Sequence, residues 1–262
     1  MPIRQSTLSE LADQLYEAHE SADQIEPLTD RYDLSIQEAY EIQSRLLEHR
    51  IEDGGRVVGH KIGLTSEGIQ EQFDVDEPDF GRLLDSMFLE DGIVPMGDLI
   101  APRIEPEVGF LLGDDLQPPV TALDALRATE GILPVLEVID SRIRDWDIEI
   151  EDTIADNASS AAFLAGAEIT SVSGIDLSLE GVKLLRNGTV VESGVGAAVL
   201  GHPARAVSWL ANRMDDLGAS IEAGDIVISG SVTPAVDIEP GDTVTVEFTS
   251  MGTLTARASK PQ

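Results

Sequence analysis

Apolar residues recur at helical spacing in two stretches near the start of the chain, and at strand spacing over most of the remainder. Leu8, Leu11 and Leu15 form one helical stripe; Ile36, Tyr40, Ile42, Leu46 and Leu47 form a second. Each has a Ser/Thr-x-x-Glu pattern at its start, Thr7-Leu-Ser-Glu10 and Ser35-Ile-Gln-Glu38, in which a hydroxyl caps free helix N–H groups and the glutamate reaches back. Asp53-Gly-Gly55 supplies the stop for the second helix. Residues 1–55 are therefore expected to form a helical part laid against something larger.

From Arg56 the pattern turns to β. Arg56 to Leu64 reads as a strand rich in Val, Ile and Gly, followed by a short helix from Ser66. Ile100 to Leu112 and Ile132 to Ile139 read as strands on either side of a helix over Thr121 to Thr129. Val182 to Val191 is a hairpin turned at Asn187-Gly188, a pair suited to the left-handed backbone of a tight turn. Pro203 to Leu217 is a helix with Pro in its first turn and Gly218 past its end. Ile221-Glu-Ala-Gly-Asp-Ile-Val227 and Ile238-Glu-Pro-Gly-Asp-Thr-Val244 share a turn that delivers the chain into a strand. No linker or low-complexity segment interrupts the sequence, so the expected class is α+β, one structural unit with a helical part over 1–55 and a β-rich core over 56–262.

Charge narrows the partners. The chain carries 49 acidic residues against 17 basic ones, a formal charge of −32 spread along its length. A field of that sign repels nucleic acids and anionic membranes. Its self-repulsion is relieved by salt, because the screening length shrinks to about 3 Å at 1 M, so a salt-adapted (halophilic) cytoplasmic protein is expected. Met1 to Ser9 carry no apolar leader, and no apolar run reaches the roughly 18 residues of a membrane span. There is no cysteine and only four histidines. That excludes disulfides, thiolate zinc sites and cysteine nucleophiles, and leaves oxygen as the ligand type for any metal, hence a hard cation such as Mg²⁺ or Mn²⁺.

Carboxylates stand where a core is expected. In Arg103-Ile-Glu105-Pro-Glu107-Val-Gly109, strand alternation points Glu105 and Glu107 to one face, and apolar Phe110, Leu111 and Leu112 come next. Two such acids repel each other and resist desolvation unless a cation joins them, or unless the strand is an edge that leaves both in water. In Pro134-Val-Leu-Glu137-Val-Ile-Asp140, one glutamate interrupts an apolar strand. It is either paired, with Arg142 or Arg103, or a ligand. Lys61, one of only three lysines, sits between glycines in Gly59-His-Lys-Ile-Gly63. Asp79 lies in the turn-rich loop Asp76-Glu-Pro-Asp-Phe-Gly81, and Asp152 to Ser160 reads as a polar loop before an apolar strand.

Taken together, Val58-Gly-His-Lys-Ile-Gly-Leu-Thr-Ser66, Glu77-Pro-Asp-Phe-Gly81, Glu105-x-Glu107, Glu137-Val-Ile-Asp-Ser-Arg142, Ala155-Asp-Asn-Ala-Ser159 and Gly196-Ala-Ala-Val-Leu-Gly-His-Pro203 resemble the 2-keto-4-pentenoate hydratase and 4-oxalocrotonate decarboxylase family. The match spans nearly the whole chain in order. It implies a β-rich fumarylacetoacetate-hydrolase-like fold, a Mg²⁺ or Mn²⁺ lyase of meta-cleavage pathways for aromatic compounds, and a ring-like homo-oligomer; a pathway decarboxylase or aldolase is the companion to look for. On the matching positions, Glu105, Glu107 and Glu137 would be the metal ligands, Lys61 and Asp79 the catalytic pair, and Leu64, Asn157, Ser159 and Ser160 the substrate-binding residues. Asp79 resembles the hydratase branch, in which water adds to 2-hydroxypenta-2,4-dienoate or a close 2-oxo-enoate to give a 4-hydroxy-2-oxo acid. The Gly196 to Pro203 stretch resembles the decarboxylase branch, whose substrate would be a 2-oxo-3-enedioate.

Rival readings make distinct demands. An acylpyruvate-type hydrolase of the same fold needs a His-Glu dyad, and His19 and His49 fall on the N-terminal helices, expected in solvent. An inert partner subunit has no need of three buried acids. Gly194-Val-Gly196-Ala-Ala-Val199 lacks the third glycine of a dinucleotide loop, and neither a P-loop nor a Gly-x-Ser-x-Gly elbow is present.

Overall fold

The computed structural model describes residues 3–260. Two long helices open the chain, α1 (Gln5–Ser21) and α2 (Ile36–Glu52), and they pack on each other through the apolar stripes: Leu8, Leu11, Leu15, Ile42 and Leu47 are fully buried. At α2 the capping box forms as expected, with Ser35 Oγ accepting from Glu38 N and the Glu38 carboxylate accepting from Ser35 N. The Glu38 carboxylate also accepts from Ile3 N, which ties the start of the chain to α2. At α1 the expected box at Thr7 does not form. The helix begins three residues earlier, capped at Arg4, whose carbonyl accepts from both Thr7 N and Leu8 N, and Thr7 is buried inside it.

The remaining helices are α3 (Glu67–Phe73), α4 (Ala122–Ala128), α5 (Ile150–Ala155) and α6 (Pro203–Asp216). The strands are β1 (Val57–Gly63), β2 (Asp79–Leu84), β3 (Ile93–Val94), β4 (Arg103–Leu112), β5 (Thr129–Ile139), β6 (Ser160–Ala165), β7 (Gly181–Arg186), β8 (Thr189–Val195), β9 (Ile226–Ser231), β10 (Val236–Asp237), β11 (Thr243–Phe248) and β12 (Gly252–Ala258). They form a seven-stranded sheet, β2-β1-β9-β4-β5-β6 with β10 beside β4, and a five-stranded sheet, β3-β12-β11-β7-β8. One core joins both sheets to the helices: Leu11 of α1, Ile104 and Phe110 of β4, Leu210 of α6 and Val246 of β11 belong to it. Among the described residues, no helix is long and apolar enough to cross a membrane.

Local chemistry explains the turns. Asn187 and Gly188 both take positive φ, 54° and 80°, the backbone a two-residue hairpin needs. The repeated Ile-Glu-x-Gly-Asp turns are the same structure twice: Asp225 Oδ2 accepts from Glu222 N at 2.9 Å, and Asp242 Oδ2 accepts from Glu239 N at 3.0 Å. One opens β9 in the first sheet and the other opens β11 in the second.

Two segments expected as loops are ordered elements. Asp79 is the first residue of β2, paired across from Gly63 of β1. Asp152 to Ser160 comprises the end of α5, a tight turn over Asn157–Ser159 and the start of β6. The cause is tertiary. Asp152 turns inward, accepting from Leu28 N at 2.7 Å and from the Thr29 hydroxyl at 2.6 Å, 124 and 123 residues away in sequence.

Candidate active site

The site grows from the register of β4 against β5, which sets Glu105 directly opposite Glu137. Alternation brings Glu107 to the same face, and ligand oxygens of the three acids lie within 4.8 Å of one another. Glu107 and Glu137 are 1% and 0% exposed, and Glu105 is partly covered. Like charges opposite each other on neighbouring strands destabilise a sheet, so the register places a repulsion where a core is otherwise satisfied.

Lys61 of β1 and Asp79 of β2 complete the cluster. Lys61 Nζ stands 3.5 Å from a Glu137 oxygen and donates to the Ala158 carbonyl at 3.0 Å. Asp79 crosses over Gly63, where a Cβ would come 2.2 Å from its Oδ1 and 3.3 Å from Lys61 Nζ, so only glycine leaves it room. Glu107 accepts from Gly230 N at 2.7 Å; Gly230 has φ +97°, and a Cβ there would strike Thr65. Among the described residues, neither oxygen of Glu137 or of Asp79 has a hydrogen-bond partner.

The electrostatics follow from burial. Desolvation, then the neighbouring Glu137, pushes Glu105 up to about 7 and raises Glu107 well above the usual carboxylate range. Desolvation also raises Asp79, against the pull of Lys61. Burial alone would lower Lys61, but Glu137, Asp79, Glu107 and Glu105 outweigh it and hold the ammonium charged. Four carboxyl groups thus share one cation. Clustered oxygens with unused lone pairs and surplus negative charge are what a hard divalent cation binds, so the donor set fits Mg²⁺ or Mn²⁺ and offers no soft ligand.

A strained turn aims the Ala158 carbonyl. Asn157, Ala158 and Ser159 all have positive φ, 53°, 50° and 54°, a run that L-residues adopt only when their surroundings force it. The forcing groups are buried. Asp156 takes Arg142 N at 3.0 Å and Arg142 Nε at 2.6 Å, and the Asn157 amide spans both backbone groups of Arg82. Desolvation nevertheless leaves Asp156 at about 6 despite Arg142. Leu64, at the end of β1, is left-handed too, with φ 55°.

A cavity of about 490 Å³ opens beside the cluster. Lys61, Leu64, Asp79, Glu105 and Ser159 line it, and Glu107 and Glu137 lie deeper, behind Glu105. Asn157 and Ser160 do not line it. The Asn157 side chain is consumed by Arg82, which makes it a brace for the turn, and Ser160 starts β6 on the buried side. Arg142 and Arg103, the expected alternatives for pairing Glu137, instead pair with Asp156 and Asp237. No histidine is among the lining residues. His49 holds Asp13 at 2.8 Å, while His19 is half-buried and not in free solvent, its pKa lowered to about 3 by burial and Arg142. Sequence reasoning missed the outer wall, Ser231 to Ala235 with Trp146 and Ile148. Its one legible signal is the Gly230-Ser-Val-Thr-Pro234 stretch at the end of β9, where a glycine and a proline break the strand.

Residues 71–259 match the family described as "Fumarylacetoacetate (FAA) hydrolase C-terminal". The chain is similar to a 2-hydroxyhexa-2,4-dienoate hydratase of Comamonas testosteroni, 44% identical over 91% of this chain and 92% of that one. It is 45% identical to a 2-keto-4-pentenoate hydratase of Paraburkholderia xenovorans over 94% of this chain and 92% of that one. Among solved structures, 4-oxalocrotonate decarboxylase from Pseudomonas putida G7, complexed with magnesium and adipate, superposes with a TM-score of 0.95 at 34% identity, covering 98% and 99% of the two chains.

Proposed function

The chain belongs to the fumarylacetoacetate hydrolase family, and from that footing we propose that it is a metal-dependent lyase that hydrates 2-hydroxypenta-2,4-dienoate or a close 2-oxo-enoate in aromatic catabolism. The observation that carries the reading is the meeting of Glu105, Glu107 and Glu137 within 4.8 Å, at a cavity that Lys61 and Asp79 also line. The hydratase names of the relatives at 44% and 45% identity support the same reaction.

The three glutamates would hold the ion, Mg²⁺ or Mn²⁺. When bound, a divalent cation there supplies Lewis acidity to the 2-oxo (or enol) oxygen of the substrate. Lys61 already donates one N–H to Ala158 and offers its remaining N–H groups to the substrate's carboxylate, with its charge maintained by the acids around it. Asp79 is the proton carrier: its raised pKa suits it to take the 2-hydroxyl proton and to deliver a proton at C5, giving a 2-oxo-3-ene. Water then adds at C4, the position conjugated to the carbonyl, and C3 takes a proton. Ser159, whose hydroxyl has no partner among the described residues, lines the cavity and orients substrate or water. The −32 charge supports a salt-adapted protein of the cytoplasm, and we extend the proposal to a homo-oligomer.

The structural likeness to a decarboxylase favours a second reading, loss of CO₂ from a 2-oxo-3-enedioate through the same dienolate. An assay of the purified protein in high salt with Mg²⁺ separates the two, on 2-hydroxypenta-2,4-dienoate and on 2-oxohex-3-enedioate, following dienoate absorbance and CO₂. Hydration predicts dienoate loss without CO₂, lowered by about 1000-fold in Glu107→Gln. CO₂ release replaces it with the decarboxylase, and inactivity on both acids refutes both.

A further inference from the structure

The helical part of the chain reaches the active site through one buried side chain. Gln43 of α2 lies beside Ile42 and Leu46 on the packed side of the helix and is only 2% exposed. An amide buried there costs stability unless its N–H groups find acceptors. They do: Gln43 Nε2 donates to the Phe80 carbonyl at 3.0 Å and to the Ile154 carbonyl at 2.8 Å, 37 and 111 residues away.

Secondary structure leaves both carbonyls over. Among the described residues β2 has a strand neighbour on one side only, β1, so its other edge needs side-chain partners. Gln43 takes the Phe80 carbonyl on that edge, and the Asn157 amide takes both backbone groups of Arg82, two residues on. Helix α5 has six residues, and Ile154 stands in its last turn, where carbonyls have no donor within the helix.

The two carbonyls also flank the groups held for chemistry. Phe80 directly follows Asp79, and Ile154 stands four residues before Ala158, whose carbonyl accepts from Lys61. Tyr40, three residues before Gln43, stacks on Phe80 with ring centres 4.6 Å apart. One face of α2 therefore grips Phe80 by its ring and by its backbone. The start of α5 is tied to the same part of the chain, through Asp152 to Leu28 and Thr29. The family match begins at residue 71, so this grip comes from outside the matched residues.

We propose that Gln43 is a positioning residue: by holding Phe80 and Ile154 on one amide, it fixes Asp79 relative to the Ala158 carbonyl that orients Lys61. The roles of Asp79 and Lys61 in turnover rest on the hydratase reading, whereas the clamp itself can be read without turnover. Gln43→Met fills the same space without an N–H, and Gln43→Asn keeps an amide that is one methylene too short for both carbonyls. On 2-hydroxypenta-2,4-dienoate each is expected to lower kcat by about 10–100-fold. Calorimetric Mg²⁺ affinity should stay within about 2-fold of the wild type, since the three glutamates stand on β4 and β5, which the clamp does not touch. In an Asp79→Asn background, adding Gln43→Met should lower kcat by less than about 3-fold, because the group that the clamp aims is already gone. An equal loss in both backgrounds would overturn the proposal, as would an unchanged kcat or a parallel loss of Mg²⁺ affinity.

Hydrogen exchange followed by mass spectrometry reads the clamp alone. Amides of residues 79–82 and 157–160 should exchange at least about 10-fold faster in Gln43→Met and Gln43→Asn, with β11 and β12 at the wild-type rate. Exchange unchanged in both segments, or faster throughout the chain, would overturn the proposal. An inactive wild type whose variants show the expected exchange pattern would count against the hydratase reading alone.

Discussion

The two sheets handle acidic residues in opposite ways. In the five-stranded sheet they face outward or are satisfied locally. Desolvation raises Asp242, but the Asn187 amide, Glu239 N and the nearby Arg186 together outweigh it, and its pKa falls below the usual range. Glu247 is exposed beside Lys183 at 3.9 Å. In the seven-stranded sheet Glu105, Glu107, Glu137 and Asp79 converge on one lysine, and burial drives Glu105, Glu107 and Asp79 upward. The run of left-handed residues at Asn157–Ser159 belongs to this region as well. Local rules are obeyed where the chain only needs to fold and are broken where groups are held for chemistry, which is the pattern expected of a preorganised site.

That contrast can be broken deliberately. The largest effect is expected from Gly63→Ala, which puts a methyl group 2.2 Å from Asp79 Oδ1 and displaces the end of that side chain. Turnover should fall by about 100-fold, with circular dichroism unchanged, because a small misplacement of a proton carrier is costly. A fall in folding with no specific loss of turnover would place Asp79 outside the chemistry.

Next in size is the pH dependence of the metal-free protein. Glu105 rises from 4.5 to about 7 on folding, so between those values the native state holds more protons than the unfolded state. Its contribution is complete below pH 4.5 and is lost as pH passes 7. Thermal unfolding in EDTA should show stability falling by about 1–3 kcal/mol across that window. Adding Mg²⁺ at pH 8 should restore it, since an ion that binds only the folded state stabilises it. Unfolding that is indifferent to both pH and Mg²⁺ would show that neither burial nor the neighbouring acids hold Glu105 above its ordinary range.

The smallest effect sharpens the other side. Asn187→Ala leaves a non-glycine residue at φ 54° and removes the bonds to Asp242 and Thr243, costing about 1–2 kcal/mol. Because the turn lies in the second sheet, kcat/KM should not move when assayed below the melting temperature.

How far the sequence reached obeys the same divide. The Ser35 cap, the Asn187-Gly188 turn, helix α6 and the facing of Glu105 with Glu107 rest on neighbours a few positions away, and pattern alone recovers such features. Glu137 reads as an anomaly in an apolar strand, but only the register of β4 on β5 sets it across from Glu105. What pattern could not supply depends on distant partners. Asp152 is drawn inward to Leu28 and Thr29, Asn157 braces Arg82 from 75 residues away, and Trp146 enters the cavity wall on a strained turn. The resemblance to a known family supplied an order of motifs, whereas the separation of Asn157 from the cavity came from its hydrogen bonds.

Three glutamates sharing one ion are the centre of the proposed chemistry, and calorimetric titration of Mg²⁺ into the EDTA-treated, dialysed protein and into Glu107→Gln tests them most directly. One ion per chain is predicted for the wild type, with affinity in Glu107→Gln lower by more than the roughly 100-fold that loss of an outer-shell partner costs. Equal affinity in the two proteins, or no binding to either, would contradict the assignment of Glu105, Glu107 and Glu137 as the ligands.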